Sequence, residues 1–71
     1  MKPTDEKVFK VLITHWINHL ENHNQEYRAW SEKMAENCPE ASEEINAAFD
    51  IMNQATRKLM LAKVAFDKTQ K

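Results

Sequence analysis

FKVLITHWINHLENHNQEYRAWSEKM, residues 9–34, repeats an apolar or bulky side chain every three or four positions. The stripe runs Phe9, Ile13, Trp16, Leu20, His23, Tyr27, Trp30, Met34. Steps alternating between three and four residues hold one face of an α-helix toward a neighbour. The second half supplies that neighbour with the same rhythm in smaller residues: Ala41, Ile45, Ala48, Met52, Ala55, Leu59, Ala62, Phe66. Folding the chain back at Asn37-Cys38-Pro39 sets Trp30 against Ala48, His23 against Ala55 and Trp16 against Ala62, large over small. The expected fold is all-α, an antiparallel two-helix hairpin. Its single domain spans residues 1–71, with helix 1 about 4–36, a turn at 37–39 and helix 2 about 40–68.

The punctuation agrees with two helices. There is no glycine, and the only prolines are Pro3 and Pro39, so few tight strand turns can be built. Thr4 is placed to cap helix 1, with Asp5 and Glu6 in the first turn where negative charge is favoured. Asn37 tolerates the left-handed conformation that ends many helices. Pro39 biases Cys38 toward extended geometry and suits the first turn of helix 2, with Ser42 as an alternative cap.

At 71 residues the core is small, and a chain of this size buries only ~60% of the surface its unfolded form exposes. Cys38 is the only cysteine, so no disulfide compensates. Val8, Val11, Leu12, Ile17, Ile51, Leu61 and Val64 lie off the stripe, and one partner helix cannot cover both sets. A homodimer forming a four-helix bundle is the expectation. No signal-peptide core or membrane-spanning run is present, which makes cytoplasmic location the default.

Net charge is -1, unevenly spread. Residues 1–10 and 55–71 hold eight basic and three acidic side chains, whereas residues 11–54 hold two basic and eight acidic. Helix 2 alone runs from Glu40, Glu43 and Glu44 to Lys63, Lys68 and Lys71, an order that complements its dipole. The same polarity would orient a head-to-tail dimer. The basic residues point in several directions round the helix, so nucleic-acid binding is not expected. Membrane binding is not expected either, because the apolar faces are used by the hairpin and its dimer.

All three histidines fall in the nine residues His15-Trp16-Ile17-Asn18-His19-Leu20-Glu21-Asn22-His23. Two imidazoles one turn apart can share a transition-metal ion. The first and third are ~12 Å apart along the axis, too far for one ion, so a further ligand must come from elsewhere. Glu26 or a histidine of a second protomer could supply it. The candidate metal ligands are His15, His19, His23 and Glu26, a set suited to zinc, nickel or cobalt. The competing reading makes the histidines structural. His23, on the stripe opposite Ala55, would then hydrogen-bond Thr56 or fix register, in a module for protein–protein interaction or scaffolding.

Catalysis is not expected. The inner face of helix 2 lacks the carboxylates of a di-iron bundle. Cys38 lies about 20 Å along helix 1 from the nearest histidine, and without glycine there is no phosphate cradle. Trp16, Tyr27, Trp30 and the methionines are read as core filling rather than a peptide groove.

His15-Trp16-Ile17, His19, His23, Glu26-Tyr27 and Trp30 together resemble a pattern, H-W-I-x-H-x3-H-x2-E-[YF]-x2-W. It is carried by short uncharacterised helical-hairpin proteins of anaerobic microbes. In these a histidine-rich first helix precedes one rich in alanine, glutamate and lysine. The resemblance covers about half the chain and departs at Leu20, where asparagine is frequent in the pattern. It implies a similar hairpin and a metal-related role for His15, His19 and His23, and it brings no established activity.

Overall fold

The computed structural model describes residues 2–69 as two long helices, α1 (Pro3–Met34) and α2 (Pro39–Thr69). Each helix begins on one of the two prolines. The first helical position needs no N–H partner, and the fixed φ of proline is already helical there. Pro3 thereby displaces Thr4 as the starting point. The cap is Lys2, extended at φ -71, ψ 145 and without a side-chain hydrogen bond, and Thr4 lies inside the helix. Asp5 and Glu6 occupy the first turn as expected.

At the other end α1 stops at Met34, two residues before the expected boundary. The Cys38 N–H donates to Met34 O at 2.8 Å, and the Ser42 N–H donates to Cys38 O at 3.0 Å. The chain thus passes from the last turn of one helix to the first turn of the next through Ala35–Cys38. No described residue has positive φ, so Asn37 does not take the left-handed conformation. The extended bias that Pro39 places on Cys38 reverses the chain without it.

The helices pack along their whole length into a rod of 52 × 15 × 13 Å. Their seam is one residue out of step with the expected stripe at every second layer. In α1 it follows Ile13, Ile17, Leu20, Asn24, Tyr27, Ser31 and Met34; in α2 it follows Ser42, Ile45, Phe49, Met52, Thr56, Leu59, Lys63 and Phe66. Ile17, Asn24 and Ser31 take the places expected for Trp16, His23 and Trp30. In α2 Thr56 is buried beside half-buried Ala55 and Lys63 is half-buried beside exposed Ala62, while Ser42 and Phe49 share the seam with the equally half-buried Ala41 and Ala48. One residue is a rotation of about 100°, which turns Trp16 and Trp30 out to 42% and 55% exposure.

Two causes act together. Packed helix axes lie about 8–10 Å apart, too close for an indole in every other layer. Two layers are also held by hydrogen bonds between the helices rather than by apolar contact. Asn24 Nδ2 donates to Asn53 Oδ1 at 2.7 Å. Ser31 Oγ donates to Ser42 O at 3.0 Å, and Ser42 Oγ returns to Ser31 O at 2.7 Å. The Thr56 hydroxyl closes on Met52 O of its own helix at 2.9 Å. At the open end Phe9 meets Phe66 edge-on with centroids 4.7 Å apart, and nearer the turn Arg28 lies 5.2 Å over the Phe49 ring. Ile13 and Ile17 are the only buried hydrophobic residues among those described, and of the two only Ile13 is fully enclosed.

The hairpin consequently has two unlike sides. Arg28, Glu32, Glu43, Asn46 and Asp50 line a shallow hollow on one, and Glu21, Gln25 and Asn53 continue it. In an antiparallel pair, the residues just before alternate seam positions share the opposite side. These are Trp16, His23 and Trp30 from α1 with Ala41, Ala48, Ala55 and Ala62 from α2. The large-over-small match in the sequence therefore describes the flank of the hairpin, not its core.

Candidate metal centre

His15, His19 and His23 descend one side of α1 in a ladder of rings. His15 and His19 are stacked, with centroids 5.8 Å apart. His19 and His23 are closer, at 4.4 Å and nearly perpendicular. Their Nε2 atoms approach to 3.1 Å, and the tautomer of each ring decides which one donates. The i, i+4 spacing produces this directly, since it brings side chains one above the other on a helix. Two nitrogens bound at ~2.05 Å with a tetrahedral angle are roughly 3.3 Å apart. The pair is therefore within a few tenths of an ångström of a bidentate geometry before any ion is added.

Surroundings favour ligation through Nε2. Glu26 Oε2 stands 3.8 Å from His23 Nδ1, on the ring atom facing away from His19. At that distance the carboxylate is an ion-pair neighbour rather than a hydrogen-bond partner, in the position where metal-bound histidines usually have their outer carboxylate. Tyr27 extends the ladder, its ring 6.4 Å from that of His23. Rather than entering the seam to bond Thr56, His23 lies on the flank with its side chain 43% exposed. The expectation of a core histidine there is corrected by the one-residue rotation of the seam.

The four expected ligands are not equivalent. His19 and His23 converge, Glu26 reaches the far nitrogen of His23, and His15 touches the group only through ring stacking. Among the described residues no set of three or more His, Cys, Asp or Glu is poised to hold a metal ion by itself. Cys38 is free and exposed at the turn, some 22 Å along α1 from His23 at ~1.5 Å per residue. What sequence reasoning missed is the polar layer beneath the histidines. Asn24 is 4% exposed, and its Oδ1 is buried without a partner. Its position one residue after His23, with asparagine recurring at 53, was the available signal.

Residues 9–66 match the family described as Domain of unknown function (DUF8180), and the chain belongs to that family. The matched span takes in most of both helices and all four candidate ligands. No curated protein and no solved structure matches the chain. Among the described residues no helix is long and apolar enough to cross a membrane.

Proposed function

We propose that this chain is a small non-enzymatic homodimeric module that binds a divalent transition metal, zinc, nickel or cobalt, through the histidine ladder of α1. His19 and His23 are the ligands, Glu26 stands beside the far nitrogen of His23, and His15 flanks the pair. The carrying observation is the 3.1 Å approach of the two Nε2 atoms, a separation that a chelated ion needs and that core packing does not require of exposed rings. Imidazole donors suit these metals better than calcium or magnesium. A cytoplasmic setting and a four-helix bundle belong to the same reading.

Thermal melts with Zn²⁺ or Ni²⁺ and with chelator provide the test. A ligand bound only by the folded form at ~100 times its Kd stabilises by about 2.7 kcal/mol. For a domain of this size that raises the midpoint by on the order of 10–20 °C. His19→Ala abolishes the gain. A midpoint that ignores excess metal removes the proposal.

A second reading rests on a different observation. Trp30 at 55% and Ile51 at 63% exposure make the flank a surface for another protein, with the histidines as its polar rim. That reading expects partner binding unaffected by chelator.

A further inference from the structure

His19 and His23 present two ligands, while a structural zinc site takes four. The missing pair must come from a donor able to reach an exposed flank. We infer that a second copy of this chain supplies it. One ion then sits on a two-fold axis, held by His19 and His23 of each copy, with the two tryptophan–alanine sides packed face to face and antiparallel. This rests on the metal-binding reading above and adds its stoichiometry, its ligand set and its interface.

Position along the rod is the first argument. In a fully overlapped antiparallel dimer only residues near mid-length meet their own counterparts. α1 spans Pro3–Met34, so its midpoint falls between Asn18 and His19, within one turn of the centre of the histidine pair. The Asn24–Asn53 hydrogen bond sets this level beside the midpoint of α2, near Gln54 and Ala55. A two-fold axis crossing the flank here lays α1 over its own copy and α2 over its own copy. Small Ala48, Ala55 and Ala62 permit the close approach of the second pair.

Complementarity is the second. Leu12 and Trp30 stand about 14 Å to either side of the axis at ~1.5 Å per residue, so each Trp30 meets the Leu12 of the other copy. These residues are 55% and 39% exposed in the single chain. The opposite side, lined by Arg28, Glu32, Glu43 and Asp50, offers no such match. Charge selects the same orientation. The open end is basic and the turn end acidic, and an antiparallel pair sets each against the other.

Area is the third. A face of 52 × 15 Å amounts to roughly 800 Å² per copy, the usual size for a stable interface.

The test combines metal analysis and sedimentation of the full chain with Zn²⁺. The expected result is a dimer with one ion per two chains. It is lost in His19→Ala and in His23→Ala, and retained in His15→Ala. Co²⁺ in place of Zn²⁺ should show the intense visible bands of a four-coordinate nitrogen site. One ion per chain on a monomer would leave the metal-binding reading standing and overturn the shared site. No bound metal at all overturns both. Leu12→Glu, which changes the interface and no ligand, should lower zinc affinity at least tenfold at unchanged helix content; unchanged affinity overturns the assigned face. Cys38 reports orientation. The two turns lie at opposite poles of an antiparallel dimer, so mild oxidation yields no disulfide within the dimer, whereas a Cys38–Cys38 bond formed inside the metal-bound dimer overturns the antiparallel arrangement.

Discussion

At Asn24 the seam gives up stability. Its amide nitrogen is matched by Asn53 Oδ1, but its own Oδ1 is buried and unpartnered. Leaving one such acceptor dry costs about 1–3 kcal/mol. What the pair returns is registry, because sliding one helix by a turn would strand both amides in an apolar layer. Replacing both together, Asn24→Leu with Asn53→Leu, should therefore raise the denaturation midpoint by an amount equivalent to about 1–2 kcal/mol. It should also broaden the amide NMR spectrum as alternative registers become populated. A double variant less stable than the parent would show that the amide pair contributes more than its orphaned oxygen costs. This residue also shows where reading the sequence fails. Trp16, His23 and Trp30 and their neighbours Ile17, Asn24 and Ser31 have the same spacing, so the three-four rhythm can be threaded through either set. The choice is made by hydrogen bonds between chain segments 29 and 11 residues apart, which no local pattern contains. The histidine ladder, by contrast, was legible, since its spacing alone fixes its geometry on a helix.

For the elements, almost everything was written in the punctuation. Two prolines and no glycine set both starting points, and the errors lay in an overridden cap at Thr4, a two-residue overrun at Met34 and an Asn37 that does not turn left-handed. The helix surfaces add little. Arg28–Glu32 at 3.3 Å and Lys63–Asp67 at 3.5 Å are exposed pairs one turn apart, each contributing about 0.3–0.5 kcal/mol and weakened by salt. Pro39 matters more through the unfolded chain. Its ring limits the conformations the connection can explore, and its missing N–H is not needed at the start of α2. Pro39→Ala should lower stability by about 0.4–1 kcal/mol without altering the helix boundaries. Equilibrium urea unfolding at constant slope would check it; a change in slope would mean that the compactness of one end state had changed instead.

As a whole molecule, a rod this thin encloses little. Two isoleucines shut away from water, each worth about 1.5–3 kcal/mol, are a slight core for two helices of 32 and 31 residues. If the flank is covered by a second copy, folding and association are one process and the melting midpoint depends on concentration. Calorimetry in Zn²⁺ over a hundredfold range of chain concentration should show the midpoint rising by several degrees, and the rise should shrink in chelator, where no ion holds the copies together. An invariant midpoint would assign the stability to the single hairpin. Apolar residues left over from the stripe were visible in the sequence. Which of them share a side was not, because that depends on the true seam.

The connection at Ala35–Cys38 uses only ordinary backbone conformations, with no described residue at positive φ. Nothing in it demands a particular side chain, so its length and composition are open to drift. A doubling of such a link adds only about 0.6 kcal/mol in closure entropy. Antiparallel pairing follows from so short a link, and its tip is the natural place for foreign sequence to be grafted.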